Sequence, residues 1–365
     1  MKVALLIGQL VQGGTEKQVA LLAQGLRERG DEVHVLVMYE GGPWETVLRR
    51  ARIPVVHFGF RRGPMSFPLN VRSFASLVRW LRRVRPDVLN GYLIRGNVAG
   101  AWAGWLARVP VVVAGERALA TLTGAARGMM VLARLSDRVT SLIIANARSV
   151  GEDVALRRRV PPEKIAVVYN GLSLPPCEEA AQLDTTAPVL LTIANLYPYK
   201  GHRYLLESMA LLRERGVKCM LALVGEGPER AALESQARRL DIDVQFLGRR
   251  TDVSALLARA EVVVHPGLAD GLCNAIMEAM AAGKPIVAAD AGGNRELLDG
   301  RGLLVPPRDP HQMADAVELL LTDRPRAERL GAAARRWSMA NLSVDTMVNA
   351  HASIYARLLE ARIDR

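Results

Sequence analysis

Between His265 and Gly300 the chain reads HPGLADGLCNAIMEAMAAGKPIVAADAGGNRELLDG, with carboxylates at Asp270, Glu278 and Glu296 on a frame of short apolar runs, small residues and glycines. Gly271, Leu272, Cys273 and Asn274 stand between the first two, where they would present backbone N–H groups at the opening of a helix. Such an opening binds phosphate, because its first amides have no partners and the macrodipole is positive there. Carboxylates beside a phosphate cradle suit a ligand that is part diphosphate and part polyol, as a nucleotide sugar is.

Other candidate loops follow predicted strands in the same half of the chain. Asn195 and Lys200 lie in ANLYPYKG, where the lysine is a point charge able to reach a phosphate. Gly225 and Glu226 lie in VGEGP, whose glycines would let the backbone approach a flat ring closely. Gly248-Arg249 and Gly292-Gly293 complete the set. His202 opens the helix after Lys200, and His265 ends a strand beside Asp270, where core packing is the plainer reading. Asp241-Ile-Asp243 has a metal-binding form but falls between a helix and a strand, at the wrong end of the sheet, and no metal is expected.

These loops need a frame, and strand–helix alternation supplies it. Short Val-, Ile- and Leu-rich runs at Val3–Ile7, Val33–Met38, Pro54–Phe58, Val88–Tyr92, Val111–Ala114, Leu142–Ala145 and Ala166–Tyr169 read as strands buried on both faces. A second series follows at Val189–Ala194, Met220–Val224, Val244–Leu247, Val262–His265, Ile286–Ala289 and Leu303–Val305. Helical patterns separate them, and 310–362 reads as helix broken near Pro325 and Asn341. The alternation predicts two doubly wound parallel sheets whose ligands bind beyond the carboxyl ends of the strands. The expected division is 1–172 with a returning helix at about 345–365, a linker at 173–188, and a second domain at 189–344.

The chain has 365 residues, half of them apolar and 23% charged, the balance of a folded protein. No apolar run reaches the roughly 18 residues of a membrane span, and MKVALLIGQL reads as a buried strand rather than a signal peptide. Cys177, Cys219 and Cys273 lack metal-ligand spacing and fit a reducing compartment, so a cytoplasmic location is expected. All of the net charge of +11 belongs to residues 1–180. From Thr46 to Pro86 there is no acid, but there are ten arginines interleaved with Phe58, Phe60, Phe67, Phe74 and Trp80. Exposed aromatics among arginines would hold the chain to an anionic membrane face, here the cytoplasmic face of an inner membrane. No nucleic-acid module accompanies the basic charge, and no obligate protein partner is inferred.

The order of motifs resembles the family-4 retaining glycosyltransferases, which have the GT-B fold of two facing Rossmann-like domains with a deep interdomain cleft. The matching pieces are GGTEK, VYNGL, LYPYKGH, LVGEGPERAALE, FLGRRTDV and DGLCNAIMEAMAAGKPIVAADAGGNRELL. The resemblance implies that a hexose-type sugar passes from a nucleotide diphosphate, UDP before GDP, to a lipid-linked or saccharide acceptor of cell-envelope polysaccharide or glycolipid synthesis. Configuration would be retained, with neither metal nor cofactor beyond the nucleotide sugar as co-substrate. Carried over by residue, Glu278 would grip the ribose hydroxyls and Asp270 would face the transferred sugar. Lys200 and the backbone of Gly271, Leu272 and Cys273 would hold the diphosphate beside Asn274. Arg249 lies where the base packs, with Gly225 and Glu226 nearby. Gly13 and Gly14 match a loop at the donor–acceptor junction, while Asn97, Glu116 and Arg117 sit past strand ends where an acceptor would lie.

Three positions depart from the family pattern: Asn195 replaces an arginine, Asp270 a glutamate and Gly267 a usual serine. The changes at Asn195 and Asp270 leave open a non-catalytic, membrane-associated sugar-nucleotide-binding partner. A sugar-nucleotide epimerase of the same fold is the other alternative; it would need carboxylates and a histidine from both domains, of which the first domain shows no clear set.

Overall fold

A computed structural model describes residues 1–11, 13–62, 67–119, 127–173, 177 and 179–363, without the side chains of 67–69, 127 and 363. The chain divides into two compact units, residues 1–171 with 344–365 and residues 172–343.

The first unit is built on strands β1 (Lys2–Ile7), β2 (Glu32–Val37), β3 (Val55–His57), β4 (Val88–Tyr92), β5 (Val111–Glu116), β6 (Leu142–Ala145) and β7 (Ile165–Val167). They pair in parallel in the order β3-β2-β1-β4-β5-β6-β7. Both faces are buried, as the unbroken apolar runs require. Val3, Leu5 and Ile7 of β1 enter one core cluster, and Ala4 and Leu6 enter another on the opposite face. Helices α1 (Gly14–Glu28), α2 (Pro43–Arg50), α3 (Phe67–Val84), α4 (Leu93–Ala107), α5 (Arg127–Val139) and α6 (Arg148–Arg158) connect the strands.

The second unit repeats the scheme with β8 (Val189–Ile193), β9 (Met220–Val224), β10 (Val244–Gly248), β11 (Val262–His265), β12 (Ile286–Ala289) and β13 (Leu303–Val305). Their parallel order is β10-β9-β8-β11-β12-β13. Helices α7 (His202–Glu214), α8 (Arg230–Leu240), α9 (Val253–Arg259), α10 (Asn274–Ala281), α11 (Asn294–Leu298), α12 (Pro310–Thr322) and α13 (Arg324–Asn341) surround it. The last helix, α14 (Val344–Ile363), returns to the first unit, whose core takes in Met347, Val348, Ala352 and Tyr355. In each sheet the winding direction reverses once, between β1 and β4 and between β8 and β11. Open sheets of this kind bind ligands at that reversal.

Two expectations change here. Phe58 is buried, and Phe60, Phe74 and Trp80 are half-buried against the core cluster of Leu77, Val78 and Leu81; the side chain of Phe67 lies outside the described residues. Among the described side chains, the stretch therefore turns its aromatics at least partly toward the core; for Phe74 the cause is that α3 turns its i, i+3, i+4, i+7 face inward. Of the segment read as a linker, 174–176 and 178 lie outside the described residues. Its later part is fastened to the second unit: the Ala181 amide donates to the Ala255 carbonyl at 2.9 Å, and Arg259 donates to the carbonyl of Thr185 at 3.1 Å.

Candidate active site

The reversal between β8 and β11 gathers the charged groups of the second unit. The loop after β8 passes through a short 3₁₀ turn, Pro198–Lys200, which delivers Lys200. The loop after β11 delivers Asp270, and the two meet with Lys200 Nζ 2.5 Å from Asp270 Oδ1. The other carboxylate oxygen, Oδ2, lies 2.8 Å from His265 Nε2. On the far edge of the ring, His265 Nδ1 is 3.8 Å from Cys273 Sγ. His265 is 2% exposed and Lys200 and Asp270 about one-eighth exposed, so this chain of contacts lies in a low-dielectric setting.

The ionisation follows from that geometry. Burial opposes the Asp270 carboxylate, but Lys200 and His265 hold it at about 2. Burial opposes the His265 imidazolium as well, yet Cys273 and Asp270 raise it to about 9. The ammonium of Lys200 is also favoured, since Asp270 outweighs its burial. His202 goes the other way: burial, then the charges of His265 and Lys200, push it to about 3. Its two ring nitrogens are buried without a protein partner among the described residues. Burial opposes the Cys273 thiolate too, but His265 and Lys200 favour it, so two cations face the Asp270 carboxylate and the Cys273 sulfur at the start of α10.

That start is the Gly-Leu-Cys-Asn segment. Gly271, Leu272 and Cys273 are buried, Cys273 is the N-cap of α10 without a side-chain cap bond, and Asn274 opens the helix. Glu278 lies one turn further along the same face and is 8% exposed. The Gly292-Gly293 turn braces the loop from behind, where the Gly293 amide lies 3.2 Å from the carbonyls of both Asp270 and Gly271.

Other predicted residues fall elsewhere. Gly225 and Gly227 make their close approach to the chain's own backbone: a side chain there would meet the carbonyls of Ala194 at 2.0 Å and Leu196 at 2.4 Å. These glycines close the β8 and β9 loops on each other. Glu226 is ion-paired with Arg230, and Arg249 and Asn195 are exposed. In the first unit, Gly13 caps α1, which begins at Gly14. Asn97 and Arg117 are buried: the Asn97 amide donates to Gly115 O at 3.1 Å and to Glu116 Oε1 at 3.0 Å, and Arg117 donates to Asn170 at 2.5 Å. Both therefore shape the strand ends from within the unit.

Sequence reasoning missed the role of His265, which is more than packing. The available signal was its position at a strand end five residues before Asp270. Ligand atoms of His265, Asp270 and Cys273 come within 4.8 Å of one another, the proximity of a metal centre. The ring nevertheless directs one nitrogen to each partner from opposite edges, and Lys200 already occupies Asp270. With Lys200 the three side chains form one continuous chain of contacts.

A two-sheet architecture with a charged strand-end site invites comparison with known proteins. Residues 12–174 match the family model described as Glycosyltransferase Family 4, and residues 187–323 match that of Glycosyl transferases group 1. The lipopolysaccharide core biosynthesis glycosyltransferase LpsE of Rhizobium meliloti is 27% identical over 94% of this chain and 96% of its own. Alpha-D-kanosaminyltransferase of Streptomyces kanamyceticus is 33% identical over 177 residues, 47% of this chain and 46% of that relative. The fold of Anabaena Alr3699/HepE, solved in complex with UDP-glucose, superposes with a TM-score of 0.84 at 22% identity, over 98% of this chain and 100% of that one. The chain belongs to the family-4, group 1 glycosyltransferases, and its two Rossmann-like units are those of the GT-B fold.

Proposed function

We propose that this chain is a retaining, metal-independent hexosyltransferase that takes its sugar from a UDP-sugar and builds a cell-envelope polysaccharide or glycolipid. The observation that carries the reading is the Lys200–Asp270–His265 cluster at the β8/β11 reversal, beside the start of α10. The transition state resembles an oxocarbenium ion leaving a diphosphate, so its main demand is stabilisation of negative charge on the leaving group. Lys200 and the amides of Gly271–Cys273 meet that demand with fixed donors, which makes a metal unnecessary. Asp270 faces the sugar, Glu278 binds the ribose, and Asn195, Arg249, Gly225 and Glu226 border the nucleotide. Retention follows if the departing phosphate oxygen takes the acceptor's proton on the same face. The first unit is assigned the acceptor, at Gly13 and Gly14, with Asn97 and Arg117 as their support.

The test incubates the protein with labelled UDP- and GDP-sugars, a membrane lipid extract and a chelator. The expected result is labelled lipid with the donor's anomeric configuration. An isomerised donor without transfer would make the chain an epimerase, and bound but unconverted donor would make it a sugar-nucleotide-binding partner. Inverted product or chelator-sensitive transfer would overturn the mechanism.

A lipid-linked acceptor calls for a membrane contact, and the fold moves its location. Among the described residues no helix is long and apolar enough to cross a membrane. Exposed apolar side chains collect on neighbouring helices instead: Val71 on α3, Trp105 and Leu106 on α4, and Val131, Leu132 and Leu135 on α5. Arg72, Arg79, Arg82 and Arg83 stand exposed on α3 beside them. We propose that this face meets anionic lipid. Reversing Arg79, Arg82 and Arg83 to Glu is expected to lower affinity for phosphatidylserine vesicles by about 3 kcal/mol, or ~100-fold. Unchanged vesicle pelleting would remove the membrane from the proposal.

A further inference from the structure

Gly267 stands at the centre of the Asp270 cluster. A Cβ at this position would lie 2.5 Å from His265 Nε2 and 2.6 Å from Asp270 Oδ2, inside the contact that joins the two side chains. The glycine is not demanded by the backbone, since its φ falls outside the left-handed range in which side chains are strained. What it provides is space. The family's usual serine would fill that space, and the family's glutamate would reach about 1.5 Å, one carbon–carbon step, beyond Asp270. The two departures therefore belong together: the shorter carboxylate is drawn back toward His265 through the gap that the missing side chain leaves.

We propose that Gly267, His265 and Asp270 form one specificity-determining unit, in which His265 holds the Asp270 carboxylate against Lys200 and thereby fixes which donor sugar the site accepts. The proposal rests on the reading that Asp270 faces the transferred sugar. His265 is then a positioning residue. It is well placed for this, because its second nitrogen faces Cys273 at the start of α10, which ties the carboxylate to the phosphate loop. Fixed in this way, the carboxylate has little freedom to follow sugars that differ in the orientation of one hydroxyl. A carboxylate held only by Lys200 would follow them.

Two measurements test this. The first compares acceptor-free hydrolysis of UDP-glucose, UDP-galactose, UDP-N-acetylglucosamine and GDP-mannose by wild type, G267A, D270E, D270N and the G267S/D270E double variant. G267A and D270E are each expected to lose roughly tenfold or more in kcat/KM on the preferred donor, with KM for the others converging on it. The double variant should recover most of that loss with a different order of donors, because changes at touching residues do not add. Additive losses, or an unaltered donor order in G267A, would overturn the proposal. If D270N is inactive while G267A matches wild type, the donor site stands and only the coupling fails. If D270N matches wild type, Asp270 does not face the sugar and the underlying reading fails instead.

The second measurement follows the histidine rings by carbon-13 NMR, with His265 assigned by its loss in H265Q. In wild type the His265 ring should keep its proton to about pH 9. In G267A it should titrate at least one unit lower, since its contact with Asp270 is pushed apart while Cys273, Lys200 and His202 still face it. An unchanged titration shows that the Cβ does not disturb the pair, and the proposal falls whatever the donor.

Discussion

Replacing Glu278 by alanine is expected to abolish measurable binding of UDP, while the protein remains folded. If its carboxylate grips both ribose hydroxyls, two hydrogen bonds to a charged acceptor disappear, each worth roughly 1.5–3 kcal/mol. The combined loss of about 3–6 kcal/mol corresponds to a rise in Kd of ~10²- to ~10⁴-fold. Alanine is the strongest helix former, so α10 persists and the melting temperature should move by only a few degrees. Calorimetric titration with UDP and with GDP reads the effect directly, since both carry the ribose and neither carries the sugar. Glu278→Gln, which keeps shape and loses charge, should fall between wild type and Glu278→Ala. A UDP affinity within about threefold of wild type in Glu278→Ala would remove the ribose assignment, because a single hydrogen bond to a charged group is worth more than that.

The parts of this enzyme that sequence discloses are those set by periodicity. Short apolar runs fixed the sheets nearly to the residue: Val88–Tyr92, Leu142–Ala145, Met220–Val224, Val262–His265, Ile286–Ala289 and Leu303–Val305 are strands over just those spans. The parallel order follows from the alternation with helices, and the reversal at β8 and β11 follows from the order. The family motifs then mark which strand ends carry chemistry. What sequence does not disclose is distance between side chains across a turn. The contact of His265 with Asp270 depends on an atom that Gly267 lacks, and the absence of a Cβ has no periodic signature. The glycines of VGEGP show a related limit: a close approach is legible in the sequence, but not that the backbone at Ala194 and Leu196 makes one.

The arginine-rich stretch taught a different lesson. Composition suggested aromatics on the surface, but Phe74, Leu77, Val78 and Leu81 are spaced as one helical face, and that spacing decided their burial. Composition says what a surface could attract, and only periodicity says which residues reach it. The exposed apolar residues of α4 escaped notice because that segment is apolar in more than one direction, leaving no polar face to contrast.

Gly292 offers the sharpest test that the site is held by backbone as much as by charge. A Cβ there would lie 1.8 Å from the carbonyl oxygen of Asp270, and φ is +57°, in the left-handed region. Gly292→Ala therefore incurs about 1–2 kcal/mol of backbone strain and, in addition, must displace the loop that carries Asp270. A total near 3 kcal/mol lowers Tm by roughly 6–12 °C for a domain of this size. Relaxation cannot be cheap, since the obstacle is backbone, and the Gly293 amide that contacts Asp270 and Gly271 moves with it. Displacing Asp270 breaks its contacts with Lys200 and His265, so donor turnover should fall by roughly 100-fold. Gly300→Ala separates the two effects: its φ is +70°, but the space around its missing side chain is open. That variant should show the strain alone, a Tm loss of about 2–8 °C with turnover intact. If Gly292→Ala and Gly300→Ala melt together and both turn over donor like wild type, the turn at Gly292 does not brace Asp270, and the position of the carboxylate is set by Lys200 and His265 alone.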